Sequence, residues 1–135
     1  MSYEFLEHVG DVKFRAEGSV KGEMFISAAD AMNETIRGDI KILEQSDKSF
    51  EVEGKDDINL LYNFLEEFLF LLDAEGFLVS RVKSIEISGN KLTCIVVGDD
   101  SENYKFTNDV KAVTYSSMFV KEESDKFICE VVLDV

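Results

Sequence analysis

The alternation of apolar and polar residues becomes regular at the start of one short segment. Val12, Phe14 and Ala16 point one way while Asp11, Lys13, Arg15 and Glu17 point the other, which predicts a strand with one solvated face. Gly18 and Ser19 break the pattern. From about Val20 to Arg37 the apolar residues Phe25, Ala28, Ala29, Met32 and Ile36 recur at helical spacing, with Ser19 as the expected N-cap and Gly38 as the stop. Ile40 to Leu43 and Phe50 to Glu53 predict two short strands around a polar turn at Ser46-Asp47-Lys48.

A stronger helical signal follows. Asp56 or Asp57 offers an N-cap, and Ile58, Leu61, Phe64, Leu65, Phe68, Leu69 and Leu72 make a broad apolar face that Phe70 and Leu71 extend. Asn59, Asn63, Glu66, Glu67 and Asp73 form a narrower polar stripe, and Gly76 ends the helix. A helix this apolar belongs at the centre of a domain. Strands are predicted over about Leu78 to Ile87 and Leu92 to Val97, with a hairpin turn at Ser88-Gly89-Asn90-Lys91. Gly98 to Asn108 is polar and predicts a loop. Ala112 to Val120 and Phe127 to Val135 predict two final strands, the last apolar on both faces and therefore interior. Two helices among strands joined mostly by short turns favour an α+β class, an antiparallel or mixed sheet packed with two main helices in one domain over residues 1–135.

Composition narrows the function. The 28 Asp and Glu against 14 Lys and Arg leave a net charge of −14. Affinity for phosphate backbones comes from Lys and Arg displacing counterions, so direct nucleic-acid binding is not expected. An acidic surface suits a solvated protein, a hard cation or a basic protein partner. No run approaches a membrane-spanning length, and Met1-Ser2-Tyr3-Glu4 lacks the basic and apolar regions of a secretory signal, so a cytoplasmic protein is expected. Cys94 and Cys129 each lie inside an apolar run and read as buried strand residues, not as a disulfide or a zinc site.

Catalytic machinery is thin. His8 is the single histidine, neither cysteine is near it in sequence, and no nucleophile elbow or phosphate-binding glycine loop is present, so no catalytic residue is assigned. Asp99, Asp100 and Glu102 lack the spacing of a calcium loop, and Glu66-Glu67 lies on the polar stripe of the long helix and needs no acid–base role. The end of the sequence is more suggestive. Leu133-Asp134-Val135 puts the Asp134 carboxylate one residue from the Val135 main-chain carboxylate. Should Asp11 approach them, three carboxylates would offer the hard oxygen ligands that Ca²⁺ takes at about 2.3–2.6 Å. On pattern alone a solvated strand end is the favoured reading.

Several blocks resemble one family. His8-Val9-Gly10-Asp11 resembles the His-Thr-Ala-Asp opening of the archeases. Leu60-Leu61-Tyr62-Asn63-Phe64-Leu65-Glu66-Glu67-Phe68-Leu69 is similar to their Leu-Leu-x-x-Trp-Leu-x-Glu-Leu-Leu helix. Val110-Lys111-Ala112-Val113-Thr114-Tyr115 resembles their Val-Lys-Ala-x-Thr-Tyr block, and Asp134-Val135 their terminal Asp and aliphatic residue. The resemblance implies an accessory protein, not an enzyme, that binds calcium or another divalent cation and activates an RtcB-type RNA ligase by promoting its guanylylation and multiple turnover in tRNA splicing and repair. It further implies metal ligands at Asp11, Asp134 and the Val135 carboxylate, a functional Lys111 contacting the partner or its nucleotide site, and His8 orienting Asp11.

The sequence departs from the family pattern in four places. Val9-Gly10 replaces Thr-Ala, Phe64 replaces Trp, Ser116 stands where a His commonly follows Thr-Tyr, and Tyr104 lies near another common His. Two alternatives remain open: a metal-dependent hydrolase using the same carboxylates, and a chaperone-like modulator of a tRNA-modifying enzyme such as a methyltransferase.

Overall fold

The computed structural model describes residues 1–108 and 110–135. In chain order the elements are β1 (Ser2–Leu6), β2 (Val12–Gly18), α1 (Lys21–Arg37), β3 (Ser46–Glu53), α2 (Asp57–Glu75), β4 (Phe77–Ser88), β5 (Lys91–Asp100), a short 3₁₀ turn (Ser101–Asn103), β6 (Ala112–Glu123) and β7 (Lys126–Asp134). The class is α+β, as the pattern predicts. The strands form two sheets instead of one, ordered β1-β2-β7-β6 and β3-β5-β4, with antiparallel neighbours in both.

Both helices touch both sheets. α1 packs on β1, β2 and β7 of the first sheet and β4 of the second, while α2 packs on β6 and on β3, β4 and β5. This is why α1 buries residues around most of its circumference, from Met24 and Phe25 to Met32 and Ile36. Phe64 of α2 is wholly buried in an aromatic cluster, with its ring 5.5 Å from Phe25, 6.0 Å from Phe50 and 5.2 Å from Phe68. Phe64 fills this interior with no indole N–H to satisfy, where the archease pattern that the sequence resembles carries a Trp.

The helix ends refine the expectation. Asp56 caps α2, its carboxylate accepting the Asn59 N–H at 2.7 Å. Ser19 does not cap α1. The N-cap is Val20 with no side-chain bond, and Ser19 instead donates its N–H and hydroxyl to Glu23 Oε1 at 3.0 and 2.7 Å.

Three segments differ from the sequence pattern. Strand β1 comes first and carries no alternation, because it is an exposed edge paired only with β2. Ser46-Asp47-Lys48 is the start of a continuous β3 and not a turn, whereas residues 40–45 form no strand. Its polarity reflects an edge strand whose Asp47 pairs with Lys83 at 3.0 Å. Finally, β5 runs on through Gly98 to Asp100. A Cβ at Gly98 would meet the Leu78 carbonyl oxygen at 2.1 Å, so this glycine permits close approach of β4 where the pattern suggests a loop.

β7 is the interior strand its composition predicts, lying between β2 and β6. Cys94 and Cys129 are buried, free thiols in β5 and β7, and burial pushes each up to about 12. No helix is long and apolar enough to cross a membrane among the described residues.

Candidate functional site

The β2–β7 register decides where the sequence-predicted residues meet. Val12 faces Leu133 at the end of that ladder, which brings Asp11, the bend residue that leads into β2, and Asp134, the last residue of β7, to the same end of the first sheet. The two faces of β2 differ. Phe14 and Ala16 turn inward to the core, while Lys13 and Arg15 lie outside with Glu130.

On the far side of β7, Ala112 pairs with Asp134, and the Lys111 N–H donates to the Asp134 carbonyl oxygen at 2.7 Å. Asp11, Lys111, Asp134 and Val135 therefore share one end of the first sheet. Asp11, Asp134 and Val135 are half-buried and Lys111 is exposed.

Charge along this face is unevenly answered. Glu130 is buried in the middle of it; its carboxylate accepts from Arg15 Nε at 2.8 Å and from Arg15 Nη2, and Lys13 lies at 3.4 Å. Burial pulls its carboxyl upward, but the Arg15 and Lys13 cations outweigh that and hold it below the usual Glu range. Lys126 and Glu17 pair at 3.3 Å farther along. Among the described residues no ion pair reaches Asp11 or Asp134.

Two neighbouring carboxylates repel unless a cation lies between them, and as hard oxygen donors they suit Ca²⁺. Among the described residues no three His, Cys, Asp or Glu side chains converge as a metal-holding group. A cation at this end would draw its remaining oxygens from the main chain, the Val135 carboxylate among them, and from water. The donor set fits a hard cation on those terms.

His8 lies exposed in the connection between β1 and β2. Gly10, two residues on, has φ +82°, a left-handed conformation that a residue with a Cβ would adopt only under strain. Gly10 thus sets the backbone turn that leads into Asp11. Ser116 and Ser117 belong to an irregularity in β6, where the pairing jumps from Thr114 opposite Val132 to Phe119 opposite Glu130 and Ser117 takes φ +58°. Ser116 is exposed there. Tyr104 is structural, donating to Asp99 Oδ2 at 2.8 Å and accepting the Leu43 N–H at 2.9 Å.

One contact has no sequence signal beyond the Thr-Tyr block itself. Tyr115, freed by the β6 irregularity, stacks on Tyr62 of α2 with ring centroids 4.1 Å apart and planes 10° from parallel. Its hydroxyl accepts from Asn59 Nδ2 at 2.7 Å. The stack fixes α2 to the strand that begins beside Lys111.

The sequence model of the Archease protein family matches residues 3–135. The chain belongs to the archease family. Curated archeases from Pyrococcus abyssi and Methanopyrus kandleri are 34% and 30% identical to it. The alignment covers 98% of this chain and 98% of the first relative, and 100% of both chains for the second. The solution structure of Methanobacterium thermoautotrophicum protein 1598 matches with TM-score 0.83 at 31% identity over 98% of each chain. A crystal structure of a Thermotoga maritima archease, described as a possible chaperone, shares the fold at TM-score 0.70 and 18% identity, over 96% of this chain and 94% of that one. The blocks that resemble archeases therefore lie within a match of nearly the whole chain, and the Lys111 block and Asp134 meet in space as well as in motif.

Proposed function

We propose that this archease is a non-catalytic accessory protein that binds calcium through Asp11, Asp134 and the Val135 carboxylate and activates an RtcB-type RNA ligase. The observation that carries the reading is that Asp11, Lys111, Asp134 and Val135 come to one end of the first sheet, in a chain of this family. Calcium held there supplies neutralisation of the two like charges. The residues do the rest: the Lys111–Asp134 backbone bond fixes the start of β6, and the exposed Lys111 ammonium is presented next to the carboxylates, available to a phosphate or a carboxylate of the partner.

Cytoplasmic location and a role in tRNA splicing or repair belong to this reading. So does His8 as the neighbour that orients Asp11. The net charge of −14 supports contact with RNA chemistry through a basic protein partner in place of direct binding.

The test is guanylylation of the RtcB-type ligase from the same organism, measured with and without this chain in the presence of calcium or manganese. Stimulation is expected, and its absence would sink the reading. A chaperone-like role on another tRNA-modifying enzyme has one supporting observation, the description of the Thermotoga maritima relative as a possible chaperone. Copurification of a methyltransferase without the ligase would favour it.

A further inference from the structure

The polar stripe of α2 is interrupted by an aromatic ring. Phe70, which the apolar pattern assigns to the buried face, is 54% exposed. It stands one turn after Glu66 and Glu67 and one turn before Asp73, so the three carboxylates surround it on one helix surface. With Leu69, Ala74 and Lys111 these residues line an open groove of about 400 Å³. Three carboxylates thus face a single ammonium. Burial, and then the neighbouring Glu75, raise the Glu67 carboxyl above its ordinary value.

Left in water, such a surface is mismatched: an apolar ring is wetted and a carboxylate is partly desolvated among like charges. One side chain answers every part of it. A guanidinium stacks on an aromatic face and, from the same plane, donates to flanking carboxylates. Phosphates would be repelled by the lining, which excludes a nucleic-acid strand as occupant. The groove also reaches Lys111, whose amide is bonded to Asp134, so its occupant lies alongside the candidate metal site.

We propose that the groove formed by Glu66, Glu67, Phe70, Asp73 and Lys111 is a docking surface for an arginine-bearing segment of a protein partner. An apolar residue of the segment covers Phe70 beside the guanidinium. The partner's identity as an RtcB-type ligase rests on the function proposed above; the chemistry of the groove does not.

Two measurements test this separately from that function. In ligase guanylylation, Phe70→Ser and the double variant Glu66→Gln, Glu67→Gln should raise the half-saturating concentration of this chain by about tenfold or more, with the wild-type plateau recovered at saturation. Asp134→Asn should lower the plateau instead. An unchanged half-saturating concentration in both groove variants overturns the docking surface and leaves the accessory function standing. If the wild-type chain does not stimulate the ligase, that function falls and the groove is decided by the second measurement.

This is a titration of the isotope-labelled full chain with a short peptide of arginine and leucine, followed by NMR. Shifts should centre on Glu66 to Ala74 and Lys111, vanish in Phe70→Ser, and weaken when lysine replaces arginine in the peptide. Shifts spread over the acidic surface, or unaltered in Phe70→Ser, overturn the proposal. So does a concentration-dependent dimer in sedimentation that Phe70→Ser abolishes, because the occupant is then a second copy of this chain.

Discussion

Val12 stands opposite Leu133, and everything at the candidate site follows from that pairing. It brings Asp11 and Asp134 to one end of the first sheet, where no side-chain cation pairs with either among the described residues. Asp11→Asn and Asp134→Asn are each expected to weaken calcium binding by about tenfold or more, since a charged oxygen donor becomes a neutral one. The metal-free fold should be as stable as the parent or slightly more so, because one of two like charges is removed. Calorimetric calcium titration and thermal melts of the same proteins check both halves.

Residues added after Val135 would convert its carboxylate to an amide. Calcium affinity should fall in such an extended chain, and an unchanged affinity measured by calorimetry would remove Val135 from the ligand set.

Gly10 carries a positive φ directly before Asp11. Placing an Ala there is expected to cost about 1 kcal/mol by forcing an L-residue into the left-handed region. Open space around the position means that strain, not a clash, is the cause. Urea unfolding would show the loss, and weakened calcium binding in the same variant would show that the turn also aims Asp11.

The Tyr62–Tyr115 stack should contribute about 0.5–1.5 kcal/mol beyond the area it buries. Tyr115→Phe keeps the rings but loses the Asn59 bond, so it should cost less than Tyr115→Ser. A double-mutant cycle with Tyr62→Ser, read by denaturant unfolding, separates stacking from burial.

Acid stability should reflect Glu130. Its carboxyl is depressed in the folded state by Arg15 and Lys13, so the unfolded chain binds the proton more readily. The stabilisation is present above the ordinary Glu value of 4.5 and is lost as pH falls through the lower folded value. Replacing Lys13 and Arg15 together with Met strands a buried carboxylate and should cost about 3 kcal/mol at neutral pH, with a smaller deficit in acid. Unfolding free energies measured from pH 7 down to acid give the comparison.

The sequence disclosed what repeats and concealed what is local to pairing. β2 and α2 were legible because Phe14 and Ala16, or Leu61, Phe64, Leu65 and Phe68, mark one face at a fixed period. β1 and the start of β3 were not, since edge strands with two wet faces carry no period and Ser46-Asp47-Lys48 has the composition of a turn. Phe70 was misplaced because periodicity weighs a phenylalanine by its apolarity and is blind to an unfilled groove. For the site, chain-end spacing could name Asp134 and Val135, but bringing Asp11 to them required a register between strands more than a hundred residues apart in sequence, set by the inward packing of Phe14 and Ala16.

The two sulfhydryls in β5 and β7, each held near pKa 12, are almost entirely un-ionised at any physiological pH. Alkylating reagents and peroxide attack the thiolate, so the native chain should be refractory to both while folded. A cysteine introduced on an exposed strand or helix face would then be the sole nucleophilic sulfur. Conversely, labelling of the parent protein reports only its opening, which makes thiol reactivity a clock for how often the two sheets part from the helices between them.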